Sequence, residues 1–174
     1  MLMGMFSARI RNRLALKIAV TLSCLFAFAS PSLAATATST FTVQVTLTAS
    51  CTVNSASNLN FGNQGVLTAA VNQTSTLGIQ CTNTTPYNIG LDVGTGTGAT
   101  VAVRKMTSGA NVVNYSLYQD SAHATVWGNT VGTNSVAATG NGASQSYTIY
   151  GQVPAQTTPA PGTYTDTITV TVTY

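Results

Sequence analysis

Residues 39–51 read STFTVQVTLTASC, and their pattern sets the fold class. Phe41, Val43, Val45, Leu47 and Ala49 alternate with Thr42, Gln44, Thr46 and Thr48. A period of two sorts side chains onto opposite faces of an extended chain, so the stretch predicts a β-strand with one apolar and one polar face. Its apolar residues are of core type, and they need a core to fill.

Upstream lies a leader. Arg9, Arg11, Arg13 and Lys17 precede an uncharged, mostly apolar run from Ile18 to Ala29, and small residues follow at Ser32 and Ala34. This is the layout of a secretory signal peptide over residues 1–34, cleaved after Ala34. As a helix the apolar run would cover ~18 Å, short of a hydrocarbon core of ~30 Å. The residues before Cys24 make a poor lipoprotein cleavage site. Removing 34 residues from 174 leaves 140, enough for one domain with its own core. The chain's formal charge of +3 loses its four leader cations and becomes −1, so its basicity is no argument for nucleic-acid binding.

Cys24 leaves with the leader, and Cys51 and Cys81 remain. An even pair in an exported chain predicts a disulfide between them, the alternative being two buried thiols.

Downstream, strand periodicity recurs. Leu77, Ile79 and Cys81 share a face, as do Tyr87, Ile89, Leu91 and Val93; Val101 and Val103 follow the glycine-rich turn Gly94–Gly98. Val113, Tyr115 and Leu117 form another run, and Tyr147, Ile149, Gly151 and Val153 another, stopped at Pro154. The last runs from Thr165 to Tyr174, with Ile168, Val170, Val172 and Tyr174 on one face. Short β-branched runs between Gly, Asn, Ser and Pro turns describe an all-β sandwich. Both outermost strands are long and, Asp166 aside, uncharged. Edge strands of monomeric proteins are usually blunted with charge or proline, and unblunted edges invite pairing with another chain.

Groups for chemistry are few. His123 is the only histidine and sits in a loop with Asp120 and Ser121, an arrangement that reads as solvated packing rather than catalysis. Two cysteines thirty residues apart lack zinc-ligand spacing, the glycine run matches no phosphate loop, and no cofactor is expected. Asn72, Asn83 and Asn114 begin glycosylation sequons that matter only in a eukaryotic secretory route. Trp127 reads as core packing.

The chain resembles the spore coat protein U domain of Csu-type fimbrial subunits from archaic chaperone–usher pili. The matching pieces are Cys51-Thr52-Val53, Leu59-Asn60-Phe61-Gly62, Tyr115–Asp120 leading to Trp127-Gly128, Ile149–Pro154, and Pro161–Tyr174. His123 and Asn129-Thr130 depart from residues common in the family. The resemblance implies a six-stranded, incomplete immunoglobulin-like sandwich, completed first by a periplasmic chaperone's strand and then by the next subunit's N-terminal extension. On that reading residues 35–49 are a donor-strand extension with Phe41, Val43, Val45 and Leu47 as plug residues, and 50–174 are a single pilin domain. Ile168, Val170, Val172 and Tyr174 form the edge met by chaperone or subunit. Partners would be the chaperone, an outer-membrane usher and identical or related subunits in a head-to-tail polymer. The protein would be an extracellular fimbrial subunit serving adhesion and biofilm formation, not an enzyme. The alternative is a secreted coat or binding module that folds alone. Cys51 shares the parity of Phe41–Ala49, so a chain that anchors Cys51 at home and gives residues 41–47 away must change course near Ala49-Ser50.

Overall fold

The computed structural model describes residues 33–174; residues 1–32, which hold Cys24 and most of the expected leader, lie outside the described residues. The chain divides into two units, 1–43 and 44–174. In the first, residues 33–43 carry no strand and are exposed throughout. The second begins with a further exposed stretch, residues 44–50, and then forms eight strands. These are β1 (Cys51–Ala56), β2 (Val71–Cys81), β3 (Pro86–Leu91), β4 (Arg104–Ser108), β5 (Asn111–Tyr118), β6 (Val136–Thr139), β7 (Ser144–Val153) and β8 (Val170–Thr173). One sheet has the order β1-β2-β7-β5-β4 and the other β6-β3-β8, with every pair antiparallel.

The all-β sandwich follows from the alternation. In β2, Ser75, Leu77, Ile79 and Cys81 point inward and are buried, while Asn72, Thr74, Thr76 and Gln80 face outward and are exposed. Tyr87, Ile89 and Leu91 of β3, Val113, Tyr115 and Leu117 of β5, and Ile149 and Val153 of β7 meet them in a single core. Trp127 joins that core, as its residue type suggested, and its buried indole N–H donates to Ile89 O at 2.9 Å. The predicted disulfide is present: Cys51 and Cys81 face each other across β1 and β2 and are bonded. Closing a 30-residue separation restricts the unfolded chain by about 3.6 kcal/mol on the chain-entropy argument.

Several expectations need correction. The described residues form eight strands where the resemblance implied six, with the short strands β4 and β6 each at a sheet edge. Val101 and Val103 lie in no strand; Val103 is exposed, and the inward residue is Arg104. Residues 39–50 join no ladder among the described residues, and the donor-strand expectation for them concerns a neighbour's edge and not this chain's own. At the far end only Val170–Thr173 is laddered, not the whole of Thr165–Tyr174. The Gly94–Gly98 turn is tied to the C-terminal segment, with Thr95 N and Oγ1 both donating to the Asp166 carboxylate. Gly94 has φ of +80°, and a Cβ there would collide with the Asp166 carboxylate.

Candidate functional site: an open apolar groove

Between the segments 56–67 and 158–170 the sandwich is open. Two adjoining cavities of about 580 and 720 Å³ share Leu59, Asn60, Phe61, Met106, Thr163 and Tyr164 and so form one groove. Its floor is core: Leu77, Leu91, Tyr115, Leu117 and Ile149 under one half, Val113 and Val153 under the other. The opening follows from the sheet orders. β1 is the edge of one sheet and β8 of the other, the two lie near one another, and neither has a second ladder partner among the described residues.

Each wall has its own cause. Along Thr163–Thr173 the burial alternates without a break, with Tyr164, Asp166, Ile168, Val170 and Val172 half-buried and the threonines between them exposed. The inward residues stop at half burial because nothing covers their outer side. On the opposite wall Leu59 and Phe61 reach across β7 at Gly151. A Cβ on Gly151 would lie 2.7 Å from Leu59 Cδ2 and 3.1 Å from Phe61 Cζ. The missing side chain in the Ile149–Pro154 motif is therefore what lets this wall lie flat.

A polar cluster closes the groove on the side of β4. Arg104 is fully buried, and its guanidinium donates to four backbone carbonyls: Asp92 at 2.8 Å, Val101 at 2.9 Å, Leu91 at 3.1 Å and Trp127 at 2.7 Å. Burial pulls its pKa down, opposed by Tyr115, Asp92 and Asp166, and an arginine stays charged throughout. Asp166 points inward rather than along the edge. It accepts from Thr95 N at 2.7 Å, Thr95 Oγ1 at 2.8 Å, Thr167 N at 2.8 Å and Tyr115 Oη at 2.7 Å. Burial, reinforced by that carboxylate, drives the Tyr115 phenol well above its ordinary value. Asp92 accepts from Gly94 N and Thr169 N, both at 3.0 Å. Burial raises its carboxyl, but those hydrogen bonds and the Arg104 charge outweigh it, so the net shift is downward.

The sequence-derived site residues divide clearly. Ile168 and Val170 line the groove and Val172 packs on the core beside it, whereas Tyr174 is exposed beyond β8. Phe41, Val43, Val45 and Leu47 are 87%, 83%, 80% and 85% exposed, an unusual state for four large apolar side chains in alternation. His123 lies elsewhere, in a loop held by Asp120, whose carboxylate takes Ala124 N at 3.1 Å and Thr125 N at 2.7 Å. Those backbone donors hold the Asp120 carboxyl below its usual range. The His123 ring stands edge-on to Tyr118 and Tyr150, at 5.1 and 6.5 Å. Sequence reasoning missed the roles of Arg104, Asp92 and Gly151, and only the quoted Leu59–Gly62 piece pointed to the opposite wall.

Fold and groove together define a class: an antiparallel β-sandwich with an open groove, floored by core residues, where the ends of two free sheet edges meet it. The family follows from comparison. Residues 37–171 match the Spore Coat Protein U domain, and the chain belongs to that family. Protein U of Myxococcus xanthus is 33% identical over 140 residues, covering 72% of this chain and 78% of that protein. One chain of the CsuC–CsuE chaperone–tip adhesion subunit pre-assembly complex, from the archaic chaperone–usher Csu pili of Acinetobacter baumannii, is similar at a TM-score of 0.55 and 27% identity over 74% of this chain. This chain spans 40% of that one. The family is structural rather than enzymatic, in line with the expectation from composition.

Proposed function

We propose that this protein is a subunit of an extracellular pilus assembled by the chaperone–usher route, and that it polymerises by giving its N-terminal segment to a neighbour's groove. A periplasmic chaperone would occupy the groove first, an outer-membrane usher would receive the subunit, and like subunits would follow head to tail. The single observation that carries this reading is the pairing of an open groove beside the free β8 edge with an exposed alternating segment in the same chain. Adding a strand to a free edge supplies backbone hydrogen bonds, and alternate side chains fill the groove.

Magnitudes support it. From Phe41 to Leu47 an extended chain runs about 20 Å over seven residues, as many as run from Tyr164 to Val170 on the wall. Burying four large apolar side chains is worth about 6–12 kcal/mol. Ordering seven backbone residues costs roughly 7–14 kcal/mol. The two nearly cancel, so the ladder along the free edge, at about 0.5–1.5 kcal/mol per hydrogen bond, decides the outcome. Head-to-tail donation does not close on itself and builds a filament, consistent with a role in adhesion and biofilms.

Deleting residues 35–48 tests this. The truncated subunit should fold and bind its chaperone yet be absent from polymers, seen as loss of the ladder that unheated, detergent-treated material gives on electrophoresis. Fibres of ordinary length from the truncated chain would refute the reading. A lone monomer band from the intact chain would favour the self-contained coat module.

A further inference from the structure

The C-terminal segment belongs to both sheets. Thr165 exchanges backbone hydrogen bonds with Thr107 of β4, at 2.9 and 3.1 Å, on the edge of the five-stranded sheet. Five residues later, Val170 pairs with Leu91 of β3 in the three-stranded sheet. The chain between must leave one ladder and enter the other, and its backbone donors need acceptors on the way.

Side chains supply them. The next antiparallel pair beyond Leu91 and Val170 would be Asp92 and Thr169. Half of it forms, with Asp92 N donating to Thr169 O at 3.2 Å. The other half is substituted: Asp92 O is taken by Arg104 Nε at 2.8 Å, and Thr169 N turns to the Asp92 carboxylate at 3.0 Å. Arg104 also takes Leu91 O at 3.1 Å. Two residues before Thr169, Thr167 N goes to the Asp166 carboxylate, which simultaneously holds the Gly94-Thr95 turn and Tyr115 Oη. On the β8 side the ladder thus ends at Asp92 N because the buried guanidinium takes the Asp92 carbonyl, and the Asp92 and Asp166 carboxylates accept the amides of Thr169 and Thr167 instead.

We propose that Asp166 and Asp92, set by Arg104, are positioning residues for strand acceptance: they fix the point at which the C-terminal strand changes sheets and so hold one wall of the groove open. The functional half of this inference rests on the pilus-subunit reading. The ionisable groups facing the two carboxylates are Arg104 from β4 and Tyr115 from β5, both of the five-stranded sheet; Arg104 also reaches Leu91 O of β3, so the cluster ties both sheets to the wall. Ile168 and Val170 line the groove from the residues immediately beyond it.

The test uses the full-length chain as wild type, Asp166→Ala, Asp166→Asn and Asp120→Ala. Two quantities are read: amide hydrogen exchange, and binding of a synthetic peptide with the sequence Ser39–Ala49. Asp166→Ala should accelerate exchange at Thr95 and Thr167–Thr169 by about tenfold or more, leave β2 and β7 unchanged, and weaken peptide binding by about tenfold. Asp166→Asn keeps an oxygen for the amide donors and should restore most of both; Asp120→Ala should alter neither. Uniform acceleration across β2 and β7 would overturn the inference, since Asp166 would then be contributing only global stability. A loosened wall with unchanged peptide affinity would overturn it equally. If the wild-type chain fails to bind the peptide while the local exchange effect is seen, the pilus-subunit reading fails, and with it the functional half. The assignment of the sheet change to these carboxylates would stand.

Discussion

Replacing Arg104 with Met removes the charge and keeps most of the volume. Four carbonyls, those of Leu91, Asp92, Val101 and Trp127, would lose donors at 2.7–3.1 Å inside a fully buried site. Each abandoned buried acceptor costs about 1–3 kcal/mol, but Arg104→Met also relieves the desolvation of a guanidinium, worth several kcal/mol. The net expectation is a loss of about 3–5 kcal/mol. Against a domain stability of about 5–15 kcal/mol that leaves a marginal fold. Arg104→Lys should be intermediate, because three donors radiating from one nitrogen cannot reproduce the planar fork that serves four acceptors. Urea unfolding followed by tryptophan fluorescence suits the measurement, because Trp127 is the only tryptophan and its carbonyl is one of the four acceptors. An Arg104→Met unfolding free energy within about 1 kcal/mol of wild type would refute the reasoning, since the carbonyls would then have found other partners.

Further outcomes are expected. Replacing Cys51 and Cys81 together with Ala should lower the unfolding free energy by about 3.6 kcal/mol, and reducing agent should have no further effect on that variant. The depressed Asp92 carboxyl contributes stability that is complete above the unfolded-state value near 4 and is lost as pH falls through its lower folded value. Asp92→Asn should therefore flatten the acid limb of stability against pH below about 4, and superimposable acid limbs would contradict this. Gly151→Val forces Leu59 and Phe61 off β7, with an expected loss of about 1–3 kcal/mol and a weaker hold on an incoming strand. On the proposed donor-strand reading Val45→Asp buries an unpaired charge in a neighbour's groove, so polymers of that variant should dissociate at lower temperature in detergent; unchanged melting would argue that Val45 is not a plug residue.

Much of this protein was legible in one dimension. Alternation in 77–81, 87–91, 113–117 and 149–153 named the inward faces of four strands, because a pleated chain sorts neighbours to opposite sides wherever it lies. The two cysteines left outside the expected leader, Cys51 and Cys81, identified their own partner. The apolar alternation of Phe41–Leu47 was visible too, and in the structure those four side chains lie exposed outside any strand. Other features had no local signature. Nothing near Arg104 marks it as buried, since the carbonyls that accept from it come from residues 91, 92, 101 and 127 and meet only when both sheets close. Asp166 read as a charge on an edge strand and turned out to face Tyr115, fifty-one residues away. Gly151 read as one more position on the face of Tyr147, Ile149 and Val153 and proved to be the space into which Leu59 and Phe61 fit. Side-chain parity is a property of the backbone and can be read from sequence alone. Which edges stay unpaired, and which buried carbonyls need a charge, depends on contacts between residues far apart in the chain, and only the folded sandwich decides those.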